Sequence, residues 1–171
     1  MFFRVRDLEL RKAHFDVAIP SGPIEFPGEL RQAGPLEAEG SVELLSNTLE
    51  EIRVKGRLRV LMEADCDRCL EPVRFPLEAS FDLFYVPAET IGGRDEVALQ
   101  EGESEVGFYE GDGLELNDIL REQILLLLPM QRVCSESCRG ICPECGRNRN
   151  QVDCGCAAAR VDDRWSALKN L

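Results

Sequence analysis

The sequence predicts an α+β protein: an antiparallel β-sheet body, one helix packed on it, and a C-terminal cysteine-rich module of zinc-ribbon type. Three observations predict it. Apolar and polar side chains alternate at period two through 52–66 and again through 73–85. Between 116 and 128 the apolar positions recur instead at intervals of three and four. Six of the eight cysteines then fall between Cys134 and Cys156. On this reading residues 1–128 form the β body with an acidic loop and the helix, and 129–171 form the metal-binding module with a short last helix.

Residues 1–20 alternate loosely through Phe3, Val5, Phe15, Val17 and Ile19, which predicts one or two short strands. His14 is the only histidine, lies outside any ligand spacing, and reads as a surface or strand-edge residue. The stretch PSGPIEFPGELRQAGP, 20–35, is turn and loop material with a short extended piece at Ile24–Phe26.

The clearest pattern follows. Val42 and Leu44 supply one strand; Ile52, Val54, Leu58, Val60, Met62, Ala64 and Cys66 share one face of a second. Gly56 has the same parity and marks a bulge or bend. After Cys69 the alternation resumes through Val73, Phe75, Leu77, Ala79, Phe81, Leu83 and Tyr85, so a long antiparallel hairpin carries Cys66-Asp-Arg-Cys69 in its turn. The opposite face bears Arg53, Lys55, Arg57 and Arg59. Either acidic neighbours across the sheet pair with this row, or it contacts RNA phosphates; with no aromatics interleaved, it does not stack bases.

Residues 87–113 hold eight acidic residues against one basic and read as an exposed loop, with Val106-Gly-Phe-Tyr109 returning as a short edge strand. Their acids do not match the ligand spacing of a calcium loop. A helix starts near Glu115–Asp118 and runs to Leu128 on Leu116, Ile119, Leu120, Ile124, Leu127 and Leu128. Pro129 ends it. Leu125 and Leu126 widen the apolar face, which predicts packing under a second element. At the end, Asp162 can cap a helix with Trp165, Leu168 and Leu171 along one side. That face either locks the tail onto the body or recognises a partner.

The cysteines carry the chemistry. Cys142-Pro-Glu-Cys145-Gly146 is the spacing of a metal knuckle: two thiolates converge on a tight turn, and the glycine lets the backbone fold back. With one histidine in the chain, an all-cysteine tetrahedral zinc site is the economical choice. The pair completing it can be Cys154/Cys156, Cys134/Cys138, one from each, or Cys66/Cys69, and two sites using all eight are arithmetically open. Cys66-Asp-Arg-Cys69 also has the spacing of a dithiol oxidoreductase, with Arg68 placed to favour a thiolate. It lacks the first turn of a helix that such a site needs. Nucleotide, nucleophile-elbow and zinc-protease motifs are absent, so the sequence does not read as an enzyme.

Composition narrows the class. Apolar content of 44% and charged content of 30% suit a soluble globular protein. The apolar run Ile124–Met130 is too short to span a bilayer, and the charged N-terminal stretch lacks the core of a secretory signal. A cytoplasmic protein is expected, in which eight cysteines bind metal rather than form disulfides. The net charge of −12 argues against a surface that grips nucleic acid everywhere. It is unevenly spread: residues 1–128 hold 13 basic against 27 acidic side chains, and 129–171 hold 7 against 5.

Taken together, CDRCLEPV at 66–73, LREQILLLLPMQRVC at 120–134, CRGICPECGRNRN at 138–150, CGC at 154–156 and DDRWSALKNL at 162–171 resemble the YceD family of large ribosomal RNA subunit accumulation proteins. The resemblance covers residue 40 to the end. Arg149 replaces an aliphatic residue common in the family, and Asp163 stands where a proline often follows the aspartate. The cysteines matching the family's motifs are Cys66, Cys69, Cys134, Cys138, Cys142, Cys145, Cys154 and Cys156. The resemblance implies a non-enzymatic factor supporting synthesis, processing or stability of 23S rRNA, with large-subunit rRNA or a ribosomal protein as partner. The alternatives are a zinc-stabilised adaptor for a ribosomal protein or assembly factor, and a CxxC thiol oxidoreductase.

Overall fold

The computed structural model describes residues 1–46, 48, 50–91 and 106–156. The chain divides into two units, Met1–Glu63 with Arg74–Pro129, and Ala64–Val73 with Met130–Leu171. In chain order the elements are β1 (Phe2–Arg4), α1 (Val5–Leu10), β2 (Ala13–Ile19), β3 (Arg31–Gln32), β4 (Leu36–Leu44), β5 (Ile52–Asp65), β6 (Pro72–Pro87), β7 (Val106–Tyr109), β8 (Gly113–Glu115) and α2 (Leu116–Leu126). The expected last helix lies outside the described residues, as does most of the acidic loop.

A six-stranded sheet forms the first unit, ordered β2-β4-β5-β6-β7, with β3 beside the far end of β5. The β2–β4, β4–β5 and β3–β5 pairs are antiparallel, but β6 and β7 run parallel, so the sheet is mixed rather than purely antiparallel. The predicted edge strand at Val106–Tyr109 is therefore present, in the parallel sense. β1 and β8 make a separate two-stranded ribbon.

The period-two pattern works as expected. Ile52, Val54, Leu58, Val60, Met62 and Ala64 are buried, while Lys55, Arg57 and Arg59 are exposed. Fully burying each of the larger side chains is worth roughly 1.5–3 kcal/mol, so this strand is the centre of the core. On β6, Leu77, Phe81 and Tyr85 continue that face.

Gly56 does not mark a bulge. The β4–β5 register runs unbroken through it, with Gly40 directly opposite. An added Cβ at Gly40 would stand 2.6 Å from the ring of Phe15 and 2.7 Å from the Gly56 Cα. At Gly56 it would meet the Phe81 ring at 2.9 Å. The glycine pair gives up its side chains because each position faces a backbone carbonyl of the paired strand, Lys55 O for Gly40 and Glu39 O for Gly56, with an aromatic ring close behind it.

Residues 1–20 carry the two short strands expected, β1 and β2, but α1, with Leu8 buried, falls between them and takes Val5 out of the strand pattern. The period is ambiguous over so short an element, and no side chain caps it. Ile24 is buried in irregular chain, and the strand in that region is β3 instead. The main helix holds: α2 buries Leu116, Ile119, Leu120 and Ile124, and its last amides turn at Leu127, two residues before Pro129. Leu126 is exposed, so α2 buries a single stripe and not the wider face expected.

The basic row on β5 is neutralised. Arg53 makes two 2.7 Å hydrogen bonds to Asp82, and Lys55 lies 3.6 Å from the same carboxylate. Arg57 pairs with Glu39 at 2.8 Å and Arg59 with Glu37 at 2.6 Å, each directly opposite on β4. His14 is an exposed strand residue, as expected.

Candidate metal centre

The second unit is built from two turns of one design. In the first, the Cys66 N–H donates to Glu71 O at 2.8 Å and the Leu70 N–H to Cys66 O at 2.9 Å. In the second, the Cys142 N–H donates to Arg147 O at 2.8 Å and the Gly146 N–H to Cys142 O at 2.8 Å. The residue after the second cysteine is left-handed in both, with φ of 63° at Leu70 and 71° at Gly146. This fold-back aims backbone amides at the leading sulfur. Cys66-Asp-Arg-Cys69 is thus a knuckle like Cys142-Pro-Glu-Cys145, although only the latter carries the glycine that announces one.

Each knuckle meets a later cysteine pair. Cys66, Cys69, Cys134 and Cys138 form one set, and Cys142, Cys145, Cys154 and Cys156 another, with all sulfurs in a set within 4.8 Å of one another. All eight are free thiols. In the first set the Cys66–Cys138 sulfurs are 3.9 Å apart and the Cys69–Cys134 sulfurs 3.6 Å. A tetrahedral ion with metal–sulfur bonds of about 2.3 Å requires edges of about 3.8 Å, whereas a disulfide requires about 2.0 Å. The spacing fits ligands of one ion. Of the pairings the sequence left open, the structure brings Cys154/Cys156 to the CPxCG knuckle and Cys134/Cys138 to Cys66/Cys69.

The two sets differ in burial. Cys66, Cys69 and Cys138 are buried and, with Val133 packed on them, form a small core of their own. In the second set only Cys142 is buried.

Electrostatics prepare both leading thiols for ionisation. Burial alone would raise Cys66, but amides of Arg68, Cys134 and Cys69 outweigh it and lower the thiol to about 6. Cys142 is lowered to about 6 by the amides of Cys145 and Glu144. Cys138 is lowered chiefly by the carboxamide of Asn150. The Glu71 amide acts to lower Cys69, yet burial and the sulfurs of Cys66, Cys134 and Cys138 drive it up to about 12. Cys145 and Cys154 likewise push Cys156 up to about 12. Within each set some thiols ionise readily and their neighbours then resist, a conflict that a cation at the centre removes.

Several supporting residues carry no sequence signature of their own. Asn150 donates from Nδ2 to the Cys138 sulfur at 3.3 Å and accepts the Arg139 N–H at 2.7 Å. Asn148 and Gln151 donate to Glu71 Oε1 at 3.2 and 2.8 Å. Asp67 accepts the Arg132 N–H at 2.7 Å. The short amides of the NRN run after the knuckle were the available clue, since such side chains bond local backbone. Arg68 does not sit on a thiolate: its guanidinium donates to the carbonyls of Glu136 and Cys138 at 3.2 and 3.3 Å. Cys66 and Cys69 are 0% and 4% exposed.

The model of the family described as Large ribosomal RNA subunit accumulation protein YceD matches residues 54–171, a span that contains both cysteine sets. The chain belongs to the YceD family. Among its relatives, an uncharacterised Mycobacterium tuberculosis protein is 29% identical over 141 residues, covering 82% of this chain and 63% of that protein. This chain thus spans less than two thirds of the mycobacterial relative's length. YlbN of Bacillus subtilis is 23% identical over 172 residues, covering 99% of this chain and 93% of that one. A chloroplastic Arabidopsis thaliana protein named as a YCED homologue and large ribosomal RNA subunit accumulation protein is 22% identical over 144 residues, covering 71% of this chain and 44% of that one. No solved structure matches this YceD-family chain. No helix among its described residues is long and apolar enough to cross a membrane.

Proposed function

We propose that this chain is a non-enzymatic, cytoplasmic ribosome-biogenesis factor that supports synthesis, processing or stability of 23S rRNA, with zinc in both four-cysteine sets. The observation that carries this reading is the family match over 54–171. Zinc is the ion of choice because closed, all-thiolate tetrahedral sets are the ligand spheres of structural zinc. Bound there, it supplies folding free energy to a segment whose own apolar core is small. The chain's residues do the rest: two knuckles present the thiolates, Asn150 donates to Cys138, and Arg68 and Asp67 brace the loops. Depleting the protein and quantifying 23S against 16S RNA tests the role. The 23S share is expected to fall with precursors accumulating; an unchanged ratio with normal processing rejects it.

A second reading is favoured by the neutralised row on β5. Carboxylates of Glu37, Glu39 and Asp82 hold the cations that would otherwise meet phosphate. A chain of net charge −12 attracts a basic ribosomal protein more readily than RNA. On that reading the chain acts as an adaptor. Crosslinking in cells separates the two: 23S fragments support direct RNA contact, and a protein crosslink without RNA supports the adaptor.

A further inference from the structure

The loop that closes the second cysteine set does not serve that set alone. It runs from Gly146 to Asp153 between Cys145 and Cys154, yet its side chains reach the first set. Asn150 donates to the sulfur of Cys138, while its Oδ1 holds the Arg139 N–H next to that ligand. The Arg149 N–H donates to Gly140 O at 2.9 Å. Asn148 and Gln151 converge on the carboxylate of Glu71, whose carbonyl closes the Cys66 knuckle. From the other side, the Ile141 N–H donates to Arg68 O at 2.8 Å inside that knuckle. Gly140 passes so close that an added Cβ would stand 2.9 Å from the same carbonyl. The first set is therefore finished off by a loop that begins and ends on cysteines of the second set.

We propose that the two sets form one coupled metal centre, in which an ion in the Cys142/Cys145/Cys154/Cys156 set raises the affinity of the Cys66/Cys69/Cys134/Cys138 set, with Asn150 as the positioning residue. The inference rests on the metal reading of both sets. An ion at the second set fixes the ends of the 146–153 loop, and the fixed loop delivers the Asn150 amide to Cys138. An amide N–H on a thiolate stabilises the charge that binds the metal, and losing such a partner costs about 10–100-fold in metal affinity. Because coupling is reciprocal, an ion at the first set must strengthen the second by the same factor. The chemical class of ligand is a soft divalent ion that accepts four thiolates.

The test is a Co²⁺ and Zn²⁺ titration of the full chain under reducing conditions, following the cobalt–thiolate absorption bands in competition with a chelator. Wild type is expected to take two tetrathiolate ions. The pair Cys154→Ser with Cys156→Ser is expected to weaken the first set about 10-fold or more, and Asn150→Ala, which keeps every cysteine, about 10-fold. Combining the three changes is expected to weaken it little beyond the cysteine pair, because the amide has already lost its anchor. Unchanged first-set affinity in the cysteine pair overturns the coupling; full additivity, near 100-fold if each step is about 10-fold, or unchanged first-set affinity in Asn150→Ala, overturns the route through Asn150. A merely structural role for Asn150 would give the additive result. If wild type shows no tetrathiolate spectrum at all, the metal reading itself fails, an outcome distinct from two ions bound independently.

Discussion

The two units solve the same problem with different material. The first is held by apolar side chains: Leu36, Val42, Ile52, Val54, Leu58, Val60, Met62, Leu116, Leu120 and Ile124 are at most 2% exposed. Among the described residues of the second, the small core around the first set consists of Cys66, Cys69 and Cys138 with Val133 against them. By area alone, so few buried atoms offset little of the conformational entropy of ordering a loop-rich segment, at roughly 1–2 kcal/mol per residue. On the metal reading proposed above, ligation supplies the rest: the body's stability is written in hydrophobic burial and the module's in thiolate–metal bonds.

Removing the ion gives the largest break in that comparison. Chelation under reducing conditions is expected to abolish hydrogen-exchange protection at Leu70, Ile141, Cys142 and Gly146, leaving the β4–β5 amides protected. Structural zinc binding is worth roughly 10–16 kcal/mol at neutral pH, far more than this small core can replace. Equal loss of protection in both units, or none in either, would refute the division. Cys66→Ser is expected to release more metal than Cys156→Ser, since it removes a buried ligand held by three amides.

A change in the body should act in the opposite sense. Gly40→Ala drives a Cβ into the backbone carbonyl of Lys55, toward the Phe15 ring, 2.6 Å away, and toward Gly56. Overpacking of this kind costs about 1–3 kcal/mol. Thermal unfolding should show that loss while zinc content, read by elemental analysis, stays unchanged. A variant that sheds metal would join the fates of the two units.

The knuckles sharpen the comparison within the module. Leu70 holds at φ 63° the conformation that Gly146 holds at φ 71°, and it is 62% exposed, so little packing offsets the strain. A β-carbon in that region costs roughly 1–2 kcal/mol. Leu70→Gly relieves the strain but loosens the unfolded chain, so the expected net gain is at most about 1 kcal/mol; Gly146→Ala is expected to lose about 1 kcal/mol. Metal retention against a graded chelator series would measure both. Opposite signs support the equivalence of the two turns, and a loss in both variants contradicts it.

Legibility in the sequence follows from the range of the signal. β5 and β6 are plain because a half-buried strand repeats every two residues, and α2 because its stripe repeats every three to four. The CPxCG knuckle is legible because Gly146 meets a local backbone requirement in the open. The pairing of cysteines is not, since Cys69 and Cys134 lie 65 positions apart and only the fold brings their sulfurs to 3.6 Å. The same holds for Gly56, whose partner Gly40 and covering ring of Phe15 come from other strands. The parallel sense of β7 depends on the chain's route and not on its composition. Asn150 escapes notice because a single amide in a polar loop looks like any other.

The smallest expected effect tests whether the charged face of the sheet contributes to the body's stability. The Arg53 guanidinium, with its two hydrogen bonds, holds Asp82 below the usual carboxylate value despite partial burial, and Lys55 adds to it. Arg74 and then Arg31 do the same for Glu63. A carboxylate whose pKa is lower folded than unfolded contributes fully above its unfolded value, near 4, and loses the contribution as pH falls through the folded one. The body should therefore keep a level melting temperature with respect to these groups from pH 5 to 8 and begin to lose it below about pH 4. Pairs this exposed are weak and screened by salt, so Asp82→Asn should lower the melting temperature at pH 7 by no more than about 2–4 °C. Its decisive signature is the slope: below pH 4 the variant should lose less than wild type, because it has no proton to take up at that position. Parallel slopes would show that the ion pairs only neutralise the row on β5, leaving the sheet's stability to the apolar face beneath.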